Sequence, residues 1–563
     1  MCMRYVVLVV LFIVQLCADS IIKPVASQNV APLKGQAFFD FYIKDKPKGI
    51  VRDFYIWQYL NENQLNSQQI HTAYALLNAK NPYLNKVLDR LGSKEPMPRD
   101  IECSKMDIKR AFKEDEKCLS LASVGKLKLF KTMPKKESIA IADKLANAYP
   151  HLSSAIRILS SSQFYQEILQ ANAVVFTMVY DALSLKEKQR ISQQSAIPVI
   201  EKLSQQNHQP FFNMLNTAAL NAYSTPLKKI LLHSDIIQAP HNTLFLLGLN
   251  ELQFGSKQKA LRYMQRVQNS KAQRFFIDRA LLWQYLITQN QQFLQEILAS
   301  NHVNIFSLFA AEKLAQQPNF KIVHSLPSIS TQKPPFDATD PYVWQNISST
   351  QLSTTDVAKL TEIIPYFSYQ ETMPQLAFLM QKINKFTINY FIVPFENLVS
   401  WDSREQKSFV LAIARQESHF IPTLISRSFA LGMMQIMPAY VKPFAEEMGR
   451  NDIEYNDLFQ PKIALEMGRH YIRKLQKEYK HPLFVAYAYN GGPTFLRKLL
   501  AKEELFLKNR QYEPWLSLEL IPYEETRFYG MRVLANYIIY EKYFGGDVNL
   551  EKLLQQTLIY PKK

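Results

Sequence analysis

Glu417 is the residue of this chain best placed to hand over a proton. It stands in the run AIARQESHF, residues 412–420. It follows Val410, Ile413 and Ala414 by seven, four and three residues, so a helix carries it onto their apolar stripe. A carboxylate on such a stripe loses water, which penalises its charged form and raises its pKa. A glutamate raised in this way is a proton donor near neutral pH. Position alone also fits a plainer alternative, a glutamate that ends an amphipathic helix with its head in water.

Three further segments hold polar groups that could surround such a proton donor. Ser426 comes nine residues after Glu417, in the loop expected beyond the helix, and ALGMMQIMP follows at 430–438. There Gly432 lets backbone or ligand approach closely, and Gln435 offers both a donor and an acceptor. Met433, Met434 and Met437 read, on spacing alone, as core methionines. In AYAYNGGP (486–493), Tyr489 presents a phenol and Asn490 opens a turn through Gly491-Gly492, a strong helix stop. In IPYEETR (521–527), Glu525 and Arg527 are either site groups or a surface ion pair.

Taken together and in this order, the four segments resemble the soluble lytic transglycosylase family, whose members cleave peptidoglycan glycan strands with a lysozyme-like domain. Gly491 stands where that family usually has alanine, the one departure within the motifs. The resemblance implies that Glu417 performs both proton transfers and that no second carboxylate is needed as a nucleophile. It implies that Ser426 hydrogen-bonds the glutamate or the substrate's acetamido group, and that Met434 and Met437 line the groove. Gly432, Gln435, Tyr489, Asn490 and Glu525 complete the implied substrate-binding set. The implied product is a 1,6-anhydro sugar, formed when the muramic 6-hydroxyl closes on C1. A hydrolytic muramidase using the same acid is the neighbouring alternative, and an inactive wall-binding scaffold the more distant one. Neither a metal nor an organic cofactor is expected.

The elements that must position these groups read as helices. Only 14 of 563 residues are glycine, whereas strand-and-turn folds consume glycine at corners. Amphipathic stretches such as 139–150, 163–184 and 272–288 succeed one another from about residue 35 to 320, and 243–267 reads as a helix-turn-helix repeat. Repeats of this kind bury their faces by stacking into a superhelix. Residues 317–345 are richer in proline, serine and threonine and read as a connector, after which helical periodicity resumes at 353. With the resemblance, the expected fold is all-α. It comprises an α-superhelical, U- or ring-like domain at 19–320, a small helical linker domain at 321–384 and a lysozyme-like domain at 385–563.

The first 18 residues have the layout of a cleaved signal peptide: Arg4, an apolar run from Val6 to Leu16, and the small residue Ala18. Leu16 before Cys17 does not make a lipobox. Cys103 and Cys118 remain after the leader, and an even count in an oxidising compartment reads as one disulfide. The formal net charge of +17 suits an acidic polymer. Export argues against nucleic acid, and the carboxylates of peptidoglycan stems make the wall the economical partner. A monomer in the periplasm is expected, with peptidoglycan glycan strands as substrate and wall-associated periplasmic proteins as further partners.

Overall fold

Small polar residues and prolines set where the helices break. The amphipathic stretch 163–184 holds two helices, Phe164–Gln170 and Ala173–Asp181, because the Asn172 side chain accepts the Val175 N–H and starts a new helix. Pro150 opens another helix at its first position, where its missing N–H costs nothing. The computed structural model describes residues 33–62, 65–91, 99–220, 226–327 and 329–559. The leader expected at 1–18 lies outside them. Among the described residues, no helix is long and apolar enough to cross a membrane.

The described residues are all-α apart from two three-residue strands. Helix α1 (His241–Phe254) packs on α2 (Lys257–Gln268), which packs on α3 (Arg274–Thr288), as the repeat reading of 243–267 expects. Each helix meets the next in chain order through Gln292–Leu298 to Ile305–Leu314, the stacking that builds a superhelix. Cys103 and Cys118 are joined by a disulfide between two neighbouring short helices.

The N-terminal region touches the C-terminal domain at both of its ends. Early in the chain, the ring of Trp57 lies 5.8 Å from that of Phe429, and Phe54 lies 6.4 Å from Phe459. Asn81 donates to the Arg427 carbonyl at 3.1 Å. At the other end, Phe275 and Phe276 set their edges against Phe528 at 5.5 and 5.4 Å. Segments near both ends of the N-terminal helical region thus pack on the part of the chain that carries Glu417.

Between the two, β1 (Lys321–Val323) pairs in parallel with β2 (Ile388–Tyr390). The intervening segment has a core of its own, built on Phe336, Trp344, Leu360, Phe367 and Leu379. Part of the expected connector is therefore helical: Asp340 caps Pro341–Thr350 by accepting the Tyr342 N–H at 2.8 Å.

Candidate active site

The glutamate helix, α4 (Arg404–Ser418), is defined at both ends. The Ser403 side chain accepts the Gln406 N–H at 3.2 Å, and His419 stops the helix in the left-handed conformation at φ 51°. Val410, Ile413 and Ala414 are fully buried, so the apolar stripe inferred from their spacing is real. The stripe packs on α7 (Glu524–Tyr543), the helix that begins within the IPYEETR segment. Across that contact Asn536 donates to the Ala412 carbonyl at 3.3 Å and accepts from Arg415 at 3.0 Å. These two bonds fix the last turns of α4 against α7.

Glu417 keeps partial access to solvent, yet its carboxyl is largely buried. Burial pushes its pKa up to about 8; the Tyr529 hydroxyl opposes this by donating to Oε1 at 2.6 Å, and the charge of Glu525 adds to the rise. The phenols of Tyr529 and Tyr489 are themselves raised well above their ordinary value by burial and by the nearby Glu417 charge, so both remain donors. A neutral carboxyl with one oxygen held by a phenol is poised to donate from its other oxygen.

The remaining motif residues fall into two hydrogen-bonded groups. In the first, helix α5 (Pro482–Gly491) ends at Gly492, and Tyr489 donates to the Met434 carbonyl at 2.6 Å while its ring lies 5.1 Å from that of Tyr471. Asn490 accepts from Thr526 at 2.7 Å and donates to Glu525 at 3.3 Å, which ties the AYNGGP turn to the start of α7. Glu525 itself is exposed. The second group belongs to the loop after α4. Ser426 accepts the N–H groups of Ser428 and Ala430 at 3.2 and 3.0 Å, and Gln435 donates to the carbonyls of Leu424 and Gly432 at 3.1 and 2.8 Å.

Two of the expected roles narrow in this light. The Ser426 oxygen accepts two N–H groups of its own loop, and of its two expected partners, Glu417 and the substrate's acetamido group, the second is the one this leaves. The side chain of Met434, expected in the groove wall, is fully buried against Gly468, and the residue serves the site through the carbonyl that holds Tyr489. Met437 is partly exposed at the start of Pro438–Glu447. Gly432 admits backbone: a side chain there would meet the Leu458 carbonyl.

Sequence reasoning missed Tyr529, the side chain hydrogen-bonded to Glu417. The signal was present, since Tyr529 follows Glu525 by four residues and so shares its helix face. Removing its hydroxyl tests the arrangement. In Tyr529→Phe the carboxylate loses its donor, so the Glu417 pKa rises further, and the alkaline limb of the activity profile should move up by about one pH unit. A limb that stays in place would separate Tyr529 from the reacting carboxyl.

Comparison with known proteins bears directly on this geometry. Residues 397–511 match the transglycosylase SLT domain, a segment that holds Glu417, the loop to Met437 and the AYNGGP turn. A soluble lytic murein transglycosylase of Escherichia coli is 33% identical over 146 residues, 25% of this chain and 21% of that one. The enzyme of that name from Salmonella typhimurium is 32% identical over 146 residues, with the same shares of 25% and 21%. The chain thus spans about a fifth of the length of these curated relatives. Among solved structures, the 70 kDa soluble lytic transglycosylase of Escherichia coli aligns with a TM-score of 0.44 and 16% identity, covering 90% of this chain and 82% of that one.

Proposed function

Because this chain carries a transglycosylase SLT domain, we propose that it is a lytic transglycosylase of the bacterial cell wall. It cleaves the β-1,4 bond between N-acetylmuramic acid and N-acetylglucosamine without consuming water. The observation that carries this reading is Glu417, a carboxyl that stays protonated to about pH 8 and is oriented by the Tyr529 hydroxyl. The relatives act on murein by name, and a basic chain of net charge +17 is drawn to a wall bearing carboxylates. Wall turnover or remodelling in the periplasm is the process this activity serves.

In the proposed reaction, neutral Glu417 gives its proton to the oxygen that links the two sugars. The muramic 2-acetamido carbonyl assists from within the substrate as the C1–O bond breaks. Glu417, now a carboxylate, takes the proton of the muramic 6-hydroxyl, and that oxygen bonds to C1. The charge left on the glutamate between the two steps is stabilised by the Tyr529 donor. The 6-hydroxyl is tethered to the reacting ring, which gives its attack the advantage of an intramolecular reaction. We assign sugar contacts to Gln435, Met437, Asn490 and Glu525, with Tyr489 beside the scissile bond; Ser426, Gly432 and Met434 shape the loop that presents them. The catalytic domain is set at 385–563 and the superhelix at 19–320. The separate core and the β1–β2 pair support a linker domain at 321–384.

Product chemistry tests the proposal against hydrolysis. A hydrolytic enzyme needs a water activated on the sugar, which usually takes a second carboxylate. Digestion of sacculi should give fragments ending in 1,6-anhydro-N-acetylmuramic acid, each lighter by one water than its hydrolysed counterpart. Those ends resist borohydride reduction. Uniformly reducible products carrying solvent ¹⁸O would identify water as the acceptor and the protein as a muramidase.

A further inference from the structure

The superhelix reaches the active site through one buried cation. Arg279 of α3 is 1% exposed and crosses to Glu519 of α6 (Trp515–Glu519), 240 positions away in sequence. Its Nε and Nη2 donate to the two carboxylate oxygens at 2.7–3.0 Å. Trp283 of the same helix donates to Glu519 at 3.3 Å. The third guanidinium nitrogen donates to Asn242 of α1 at 3.3 Å, and Asn242 donates in turn to Glu524 at the start of α7. Two rings lie against the guanidinium, Phe245 with its centroid at 3.4 Å and Phe528 at 4.9 Å.

These contacts lead from the superhelix to α7 and to the short helix just before it. Arg527 donates to the Ile521 carbonyl at 2.9 Å and so locks the intervening turn to the first turn of α7. Phe528 faces the superhelix. Tyr529, the next residue and about 100° further around the helix, faces Glu417. The grip on Phe528 therefore fixes the rotation and height of Tyr529.

Stability alone does not account for such a device. A buried ion pair is weak at stabilising a fold, since well-packed apolar residues of similar volume usually do as well or better. What a forked arginine on a carboxylate supplies is direction, two parallel bonds that set one orientation. We infer that Arg279 is a positioning residue for the Glu417 reaction: through Glu519, Asn242 and Phe528 the superhelix holds α7 so that Tyr529 meets the carboxyl. The inference rests on Glu417 being the acid, and it gives the superhelix a part in the chemistry itself.

The experiment is a double-mutant cycle in the full chain, with a soluble glycan oligomer as substrate and Glu417→Gln as control. One arm replaces both charges, Arg279→Met with Glu519→Met, which removes the pair together and leaves the buried Arg527 with Glu524 as its neighbouring carboxylate. The other arm is Tyr529→Phe, and the third protein combines them. The charge-free pair should lower kcat about tenfold, with KM changed less than about threefold, and should move the alkaline limb in the same direction as Tyr529→Phe. In the Tyr529→Phe background its further effect should be less than about twofold, because both act on one interaction. Should the Met pair fail to fold, Arg279→Lys is read by the same cycle, since lysine keeps the charge and loses the fork. Losses that multiply independently, with an unshifted pH limb, would overturn the inference and leave Glu417 as the acid. Full turnover by Glu417→Gln would instead remove the reading on which the inference stands.

Discussion

Glu417→Gln is expected to abolish glycan cleavage and to make the protein harder to melt. Glutamine keeps the shape of the side chain and its bond to Tyr529 but has no proton to transfer. General acid–base catalysis contributes roughly 10²–10⁴-fold, and both steps draw on this single group. A clean preparation that keeps more than about a tenth of wild-type turnover would defeat the assignment. The stability effect follows from the same displaced titration. In the native protein Glu417 holds its proton to about pH 8, while in the unfolded chain it loses it near 4.5. Between those values the native state binds more protons than the unfolded state, so stability falls as pH rises through that window. Glutamine titrates in neither state. The two proteins should therefore melt alike below pH 4.5, and the variant should melt higher as pH approaches 8, by about 2 °C or more. An inactive variant whose melting advantage does not grow with pH would show that Glu417 is not buried as described.

The setting of Glu417 was partly legible because its signal is local. Val410, Ile413 and Ala414 precede Glu417 at helical spacing, which puts it on their buried stripe, but the spacing fitted a glutamate with its head in water as well, and it was the neighbouring motifs that decided between the two. The pairing of Asn490 with Glu525 and Thr526 was not derivable, since it joins helix ends 35 residues apart. Tyr529 was lost for a different reason. Its spacing from Glu525 was a cue, but helix α7 is buried nearly all round, so no apolar face reinforced it. Met434 went the opposite way: its spacing reads as core, the resemblance implied a groove wall, and the room made by Gly468 on a neighbouring helix lets it stay in the core. In the fold, the amphipathic stretches and the one repeat at 243–267 pointed to stacked helices, but two strands of three residues carry too little pattern to be read, and their partners lie on either side of the linker.

Gly432→Ala is expected to damage both folding and activity, and Gly449→Ala marks how much of that damage is mere backbone strain. The two glycines share nearly the same left-handed conformation, φ +70° and +68°. An L-residue there costs about 1–2 kcal/mol, and at Gly449 nothing adds to it because a new Cβ meets no atom within 4 Å. At Gly432 the new carbon would sit 2.0 Å from the carbonyl oxygen of Leu458. Backbone cannot swing aside as a side chain does, so the loop must move. That loop is a tight unit: Gly432 donates to the Leu424 carbonyl at 2.9 Å, and its own carbonyl accepts from the Gln435 side chain at 2.8 Å. Two residues on, the Met434 carbonyl anchors the Tyr489 hydroxyl. Displacing the turn therefore carries away Gln435 and releases Tyr489 from its place beside the acid. A shift of about 1 Å in such groups costs about 10²-fold in rate. Thermal melts should show Gly432→Ala losing at least twice as many degrees as Gly449→Ala, with kcat/KM down by about two orders of magnitude in the first alone. Equal melting losses, with activity in Gly432→Ala within about threefold of wild type, would mean that the loop tolerates the shift and that the Met434–Tyr489 contact does not govern the reaction.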